Sequence, residues 1–298
     1  MKKILLYSKP FDMEEDRDYN FPIDDDFEMT TERRYLADAV AVIFHMPTLR
    51  SSDGILDQSR KKDGQIWVFW SMECDQHYLW QYEPRIQSLF DITVTYRIDS
   101  DVPIPYLYPS YHDLFRVPPV YEKKEYLINA FISSGFDKSG RCAYLKELMS
   151  IVDVHSYGKV MNNMPLGQDE GTSTKLEIIS KYRFTIAFEN AISVDYVTEK
   201  FFDPLEAGSV PVYLGAPNVE EFAPGDNCFI NVRDFSSPRE LAAYLSKVAA
   251  DETLYSNFGK WRCVPYKESF LSKMDINRKD PLVRVIERIK EMQNLREN

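Results

Sequence analysis

The sequence predicts an α/β protein with two domains and mainly parallel sheets, and three observations point there. Short apolar runs ending in polar residues or glycine recur along the chain, each followed by residues at helical spacing. A proline-rich passage, Pro103, Pro105, Pro109, Pro118 and Pro119, interrupts the alternation and reads as an extended linker. The alternation then restarts, as a second domain would. At 298 residues the chain can bury two cores without disulfide or metal staples.

Taken in order, strands are expected at 3–7, 39–44, 66–70 and 92–96, with a helix at 31–38. The opening apolar run is stopped by Lys9 and Pro10, so it reads as a buried strand rather than a signal segment. In the second half, strands are expected at 126–132, 152–155, 184–188 and 210–214, with helices at 139–150, 175–182 and 198–207. Thr198 is placed to cap the last of these, and Pro204 inside it should kink it or shift its start. Near the end, Leu282, Val285, Ile286 and Ile289 have helical spacing and are expected to pack across the domain interface rather than on a membrane. The domains expected are 1–118 and 119–275, followed by a C-terminal helix at 276–298.

Charge narrows the function classes. The net charge of −11 argues against a nucleic-acid binder or a polybasic membrane-surface protein. From Asp12 to Glu28 there are nine acidic residues (Asp12, Glu14, Glu15, Asp16, Asp18, Asp24, Asp25, Asp26 and Glu28) and one basic residue, Arg17, so this stretch carries −8 of the total. Asp24-Asp25-Asp26 could be read as a divalent metal site, but no histidine accompanies it, and a solvated acidic loop is the reading preferred. Cys74, Cys142, Cys228 and Cys263 lie too far apart in sequence for a metal knuckle or redox pair, which fits a reduced, intracellular protein. No apolar run reaches the length of a membrane-spanning helix.

In parallel sheets, ligands bind beyond the carboxyl ends of the strands, so the residues just after each strand are the candidates. Those are Ser71-Met72-Glu73, Ser133-Ser134-Gly135, Ser156-Tyr157-Gly158, Glu189-Asn190 and Gly215. Ser133-Ser134-Gly135 precedes a helix carrying Arg141, a combination suited to phosphate. Lys200 in the first turn of its helix opposes the helix dipole unless an anion is present to use it, and Glu199 beside it could accept sugar hydroxyls. Glu73 follows the aromatic run Trp67-Val68-Phe69-Trp70, where partial loss of hydration favours base work, with His77 as a rival.

Six longer stretches carry a resemblance. Residues 182–190, 195–200 and 207–215, in that order, resemble the signature of the α-1,3/4-fucosyltransferase family. Trp70-Ser71-Met72-Glu73-Cys74-Asp75-Gln76-His77 is similar to its acceptor-side W-x-x-E-S-P-x-H segment, with Cys74-Asp75 in place of Ser-Pro. Thr95-Tyr96-Arg97-Ile98-Asp99-Ser100-Asp101 with Pro105-Tyr106 resembles a further family stretch, as does the segment from Ala37 to His45. The resemblance implies the GT-B architecture, two Rossmann-like domains with mainly parallel sheets facing across a cleft, and an inverting transferase that needs no metal cofactor, a divalent ion being at most stimulatory. GDP-fucose is the implied co-substrate, bound by the C-terminal domain. The implied acceptor, an N-acetyllactosamine-containing oligosaccharide or glycolipid, would bind the N-terminal one.

Carried over residue by residue, Glu73 matches the family's general base, and Arg141 and Lys200 match the cations on the donor diphosphate. Glu199 matches the carboxylate on the fucose hydroxyls, with Asn190, Tyr196, Gly158 and Ser133 as further donor-site candidates. His45, His77 and Arg97 are the acceptor-site candidates. The implied product is an α-1,3 linkage of the Lewis x type. His45-Met46-Pro47 differs from the His-His-Arg/Trp stretch of animal members, which leaves α-1,4 or dual linkage on type 1 chains as an alternative, beside a non-catalytic glycan- or GDP-binding module. The absence of an anchor and stem implies the compact bacterial type, with a cytoplasmic location that extends to the inner face of the membrane.

Overall fold

The computed structural model describes residues 1–14, 16–50, 54–117 and 124–297. The chain divides into two compact units, Met1–Ile104 with Lys279–Asn298, and Pro105–Arg278. The division falls earlier than the expected 118/119, because the proline-rich passage is not a bare linker. Leu107, Tyr111 and Phe115 in it are buried, and the Tyr111 ring stacks on Phe115 at 4.8 Å and on Phe202 at 5.3 Å, which binds this segment to the second unit. Pro118 and Pro119 lie outside the described residues.

The first unit is a seven-stranded sheet of β1 (Lys2–Ser8), β2 (Asn20–Pro22), β3 (Phe27–Thr30), β4 (Ala41–His45), β5 (Ile66–Ser71), β6 (Ile92–Thr95) and β7 (Val102–Pro103). The strand order is β2-β3-β1-β4-β5-β6-β7, parallel throughout except for the β2–β3 pair. Period-two alternation sorts its apolar residues onto two faces. Leu5, Val42, Phe44, Trp67 and Phe69 form the core of one face. On the other, Ile4, Ile43, Val68 and Val94 pack with Val285, Ile286 and Ile289 of the C-terminal helix, Pro281–Glu297. That helix therefore covers the sheet of its own unit, which corrects the expectation of packing across a domain interface.

One other expectation in this unit is corrected and one is completed. The helix expected at 31–38 is a single 3-10 turn, Arg33–Ala37. The solvated acidic loop is found at Asp24-Asp25-Asp26, exposed in the turn between β2 and β3; what the reading missed is the hairpin around it, in which Phe27 and Met29 of β3 are buried and β3 pairs in parallel with β1. Asp24 is used in the turn, where its Oδ1 accepts the Asp26 and Phe27 amides at 2.9 Å each and its Oδ2 accepts Lys290 Nζ at 2.7 Å. Lys290 and these amides hold its carboxyl below the usual range. Glu15 lies outside the described residues.

The second unit is a five-stranded, all-parallel sheet of β8 (Tyr126–Ala130), β9 (His155–Ser156), β10 (Tyr182–Phe188), β11 (Val210–Leu214) and β12 (Ile230–Asn231), in the order β12-β11-β10-β8-β9. Its helices include Arg141–Met149, Thr172–Ser180, Glu199–Ala207 and Pro238–Ala250. Leu145, Phe184, Ile186, Val212 and Leu245 lie in its core. The strand expected at 152–155 is reduced to two residues, so most of that apolar run is loop. Pro204 does not shift the start of its helix. Thr198 caps it as expected, accepting from the Lys200 amide, and Gly208 ends it in the left-handed region at φ 76°. Among the described residues, no helix is long and apolar enough to cross a membrane.

Gly158 sits where the loop after β9 crosses the end of β8. A Cβ there would lie 2.1 Å from the Ile132 carbonyl oxygen and 2.4 Å from its backbone nitrogen. Backbone cannot swing aside as a side chain can. Gly158→Ala is therefore expected to cost about 3 kcal/mol or more, read as a lower denaturant midpoint at unchanged slope.

Candidate functional site

In the second unit the chemistry gathers where β10 ends and the helix Glu199–Ala207 begins. Glu189, the residue after β10, is completely buried. Its carboxylate accepts the Thr198 amide at 2.7 Å and the Thr198 hydroxyl at 2.9 Å, and Lys200 Nζ lies 3.4 Å away. Lys200 Nζ also reaches Glu199 Oε1 at 3.1 Å and Thr198 Oγ1 at 3.0 Å. The anion that a first-turn lysine calls for is thus partly supplied by the chain itself. Burial works against the Lys200 charge, but Glu189 and Glu199 outweigh it and raise the ammonium pKa. Burial likewise works against ionised Glu199, and Lys200 with Lys175 overcomes it and lowers that pKa. For Glu189 burial wins and pushes the carboxyl up.

Arg141 stands on the other side of the same strand end. Its Nη1 donates to the Phe188 carbonyl at 3.1 Å, and its Nη2 donates to the carbonyls of Ser134 at 2.8 Å and Phe136 at 3.0 Å. The guanidinium is fully buried and ties the 134–136 loop to β10; only Nε lacks a partner among the described residues. Asn190 is buried too, its carbonyl accepting the Lys138 amide at 2.7 Å, and its side-chain Oδ1 has no partner among the described residues. Tyr196 is buried, and its carbonyl accepts the Tyr213 hydroxyl at 3.3 Å. Asp195 before it holds φ at 65°, fixed by a reciprocal pair with Asn218 at 3.0 and 2.8 Å.

Five of the seven donor-site candidates therefore converge: Arg141, Asn190, Tyr196, Glu199 and Lys200. Ser133 is exposed at the end of the neighbouring β8, and Gly158 owes its identity to the close approach to Ile132. The bridging role of Glu189 and Thr198 was not legible, although an acidic residue directly after an apolar strand was its signal. Lys175 and Asp203, paired at 2.7 Å, were missed as well; burial raises the Asp203 pKa against the pull of Lys175.

In the first unit, β4, β5 and β6 are consecutive neighbours, so the residues after them share one edge of the sheet. His45 ends β4, Glu73 and His77 follow β5, and Arg97 follows β6. Glu73 is half-buried; among the described residues its carboxylate accepts no hydrogen bond. Its charge, after burial, raises the pKa of Tyr78 nearby. Arg97 grips Asp99 with two bonds, at 2.8 and 2.7 Å. Cys74 is buried against Tyr96, and burial pushes its thiol up to about 12, a structural cysteine rather than a nucleophile.

His45 is buried between aromatic rings, edge-on to Trp70 at 5.2 Å and to Phe11 at 5.3 Å. Its Nδ1 lies 2.8 Å from Thr48 Oγ1, and that hydroxyl donates to the Lys9 carbonyl at 2.8 Å, which assigns the ring hydrogen to Nδ1 and leaves a lone pair on Nε2. Burial lowers the His45 pKa from 6.5 to about 4, with Asp12 pulling the other way. The unfolded chain then takes up this proton before the folded one does, so stability falls as pH drops from 6.5 towards 4. We expect His45→Asn to remove about 2 kcal/mol of that pH dependence, measured by denaturant titration at pH 7 and pH 4.

Two Rossmann-like units, each with its candidate residues at the carboxyl ends of parallel strands, define the GT-B fold class. Family models described as "Fucosyltransferase, N-terminal" and "Glycosyltransferase family 10 (fucosyltransferase) C-term" match residues 1–107 and 121–297. The chain belongs to glycosyltransferase family 10, the fucosyltransferases. It is 35% identical over 243 residues to the human 4-galactosyl-N-acetylglucosaminide 3-alpha-L-fucosyltransferase FUT6, the match covering 80% of this chain and 65% of that protein. To the mouse 4-galactosyl-N-acetylglucosaminide 3-alpha-L-fucosyltransferase 9 it is 34% identical over 239 residues, with 78% and 63% covered. The chain thus spans slightly less than two thirds of these relatives. Among solved structures, a crystal structure of an alpha1,3-fucosyltransferase superposes with TM-score 0.61 at 20% identity, covering 86% of this chain and 78% of that one. A crystal structure of alpha1,3-fucosyltransferase with GDP-fucose gives 0.55 at 18% identity, with 81% and 79% covered. Both likenesses bear on the fold.

Proposed function

We propose that this chain is an inverting α-1,3-fucosyltransferase that moves L-fucose from GDP-β-L-fucose to the 3-hydroxyl of GlcNAc in N-acetyllactosamine-type glycans, a Lewis x type product. The observation that carries the reading is the charged cluster at the end of β10, in a chain whose two units both match the family. The relatives' names supply the linkage and acceptor, and the GDP-fucose and GDP of the similar crystal structures supply the donor.

On the donor side, Lys200 and the amino end of its helix supply positive potential for the leaving diphosphate, the role a metal ion takes elsewhere. Arg141 adds its charge from beneath and holds the loop that would face the phosphates. Glu199, held ionised by Lys200, accepts fucose hydroxyls, and Asn190 Oδ1 offers a further acceptor. On the acceptor side, Glu73 takes the proton of the attacking hydroxyl, and His45, His77 and Arg97 orient the sugar. Attack from the face opposite GDP turns the β-linked donor into an α-linked product.

The test is a transfer assay with GDP-fucose and GDP-mannose against type 2 and type 1 disaccharides, with and without a chelator. Fucosylation of the type 2 GlcNAc O3 from GDP-fucose, indifferent to the chelator, is the expected result. Transfer to type 1 chains would favour the α-1,4 or dual reading. GDP binding without transfer to any acceptor would favour a non-catalytic module.

A further inference from the structure

The donor-side reading leaves Lys200 with two duties. Its ammonium group reaches Glu199 at 3.1 Å and lies 3.4 Å from Glu189, and the same group is to meet the diphosphate. A diphosphate draws Lys200 towards itself. Glu199 is then short of a cation at the moment when the fucose hydroxyls need its oxygens.

A second lysine stands where it can make up the difference. Lys175 lies on the helix Thr172–Ser180, which packs against the helix Glu199–Ala207. Its Nζ is 2.7 Å from Asp203 Oδ2, and Asp203 follows Glu199 by one turn on the same face of that helix. The Lys175 side chain is 25% exposed and that of Asp203 8%, so the pair is largely out of water. A pair so placed adds little to stability, because removing charges from water costs about what their attraction returns. Its effect lies in its position: it fixes an ammonium group one helical turn from Glu199.

The remaining groups that face Glu199 cannot take this duty. Glu189 comes from the end of β10, and burial pushes its carboxyl up. Tyr108, from the segment before Tyr111, presents a half-exposed phenol, which burial and then the charges of Glu199 and Asp203 push up. The carboxyl groups of Glu189, Glu199 and Asp203 thus share the ammonium groups of Lys175 and Lys200. When the diphosphate takes Lys200, Lys175 is the cation that stays.

We propose that Lys175, anchored on Asp203, is a positioning residue for the donor sugar: it holds the Glu199 carboxylate to the fucose hydroxyls while Lys200 serves the diphosphate. The proposal rests on the donor-side reading given above.

Calorimetry would compare GDP-fucose with GDP on the wild-type chain, Lys175→Gln, Lys175→Arg and Asp203→Asn. GDP has no fucose for Glu199 to hold, so the ratio of the two affinities isolates the sugar end. Lys175→Gln keeps a hydrogen-bond donor for Asp203 and removes the charge. The ratio should fall about tenfold, the order of one hydrogen bond to a charged group, with GDP affinity itself within about twofold of wild type. The fall should deepen as pH drops from about 8 to about 5.5, because Glu199 without Lys175 takes up a proton at higher pH, whereas the wild-type ratio stays flat there. Lys175→Arg should keep the ratio within about twofold, and Asp203→Asn, which loosens the anchor, should lower it about threefold.

An unchanged ratio in Lys175→Gln would overturn the proposal, as would an arginine variant no better than the glutamine one. Equal loss of both nucleotides would make the pair a structural one and overturn it too. If Lys175→Gln does not fold, Asp203→Asn decides, and an unchanged ratio there counts against the proposal. A wild-type chain that binds neither nucleotide fails the donor-side reading and takes the proposal with it, a result distinct from the others.

Discussion

Glu73→Ala should lower fucosyl turnover by about 10²–10⁴-fold, the usual worth of general-base assistance, while leaving GDP affinity within a factor of about two. The separation of the two effects is what gives the test force. Glu73 belongs to the first unit and the candidate donor residues to the second, so the substitution leaves every residue proposed to hold GDP in place. No hydrogen bond from the described residues is spent on the Glu73 carboxylate, so the substitution unsatisfies no buried donor and should cost less than about 0.5 kcal/mol in stability. Glu73→Gln should behave like the alanine variant, since an amide cannot take the proton. A variant that keeps near-normal turnover would remove Glu73 from the mechanism and promote His77, the other candidate after β5. Loss of GDP binding together with turnover would instead mean that the substitution had disturbed the fold.

How much of this was legible in the sequence depended on whether local pattern and tertiary packing agreed. At β5 and β10 they did: the apolar run at 66–70, and the run at 184–188 broken only by Thr185, read as strands and are buried parallel strands, and the residues beyond them supplied the site candidates. In the acidic segment they disagreed. Phe27 and Met29 are the only core residues of β3, and the carboxylates around them outweighed that signal until pairing with β1 buried it. In the proline-rich passage, Tyr111 reads as linker until its ring is seen stacked on Phe202, a contact across ninety-one positions that no local pattern encodes. The site divides similarly. Glu199 and Lys200 announce themselves by sitting where charges at a helix start have consequences. Arg141 was found for its charge, yet much of its hydrogen bonding holds backbone in place. Glu189 carried no signal beyond its position, because its importance lies in reaching Thr198, nine residues ahead.

Glu189→Ala is expected to be the most destabilising single change in the second unit's site, at about 3–5 kcal/mol. Three losses combine there. The Thr198 amide and hydroxyl lose the acceptor that buries them, Lys200 loses one of its two carboxylates, and the side chain leaves a void. The surroundings cannot close over that void cheaply, because Gly215 is already shaped around the side chain: a Cβ there would sit 2.6 Å from Glu189 Cγ. Glu189→Gln separates the contributions. It fills the same space and keeps an oxygen for the Thr198 amide, but it gives up the charge. Since burial pushes the Glu189 pKa up, the fold does not favour the ionised carboxyl, and the charge should be the smaller part of the effect. The glutamine variant should therefore lose about 1–2 kcal/mol, well short of the alanine variant, in denaturant titrations at pH 7. If glutamine costs as much as alanine, the ion pair with Lys200 holds the strand end to the helix. If it costs far less, Thr198 does, and the residue that caps the helix is also the one that fixes where its charged first turn stands.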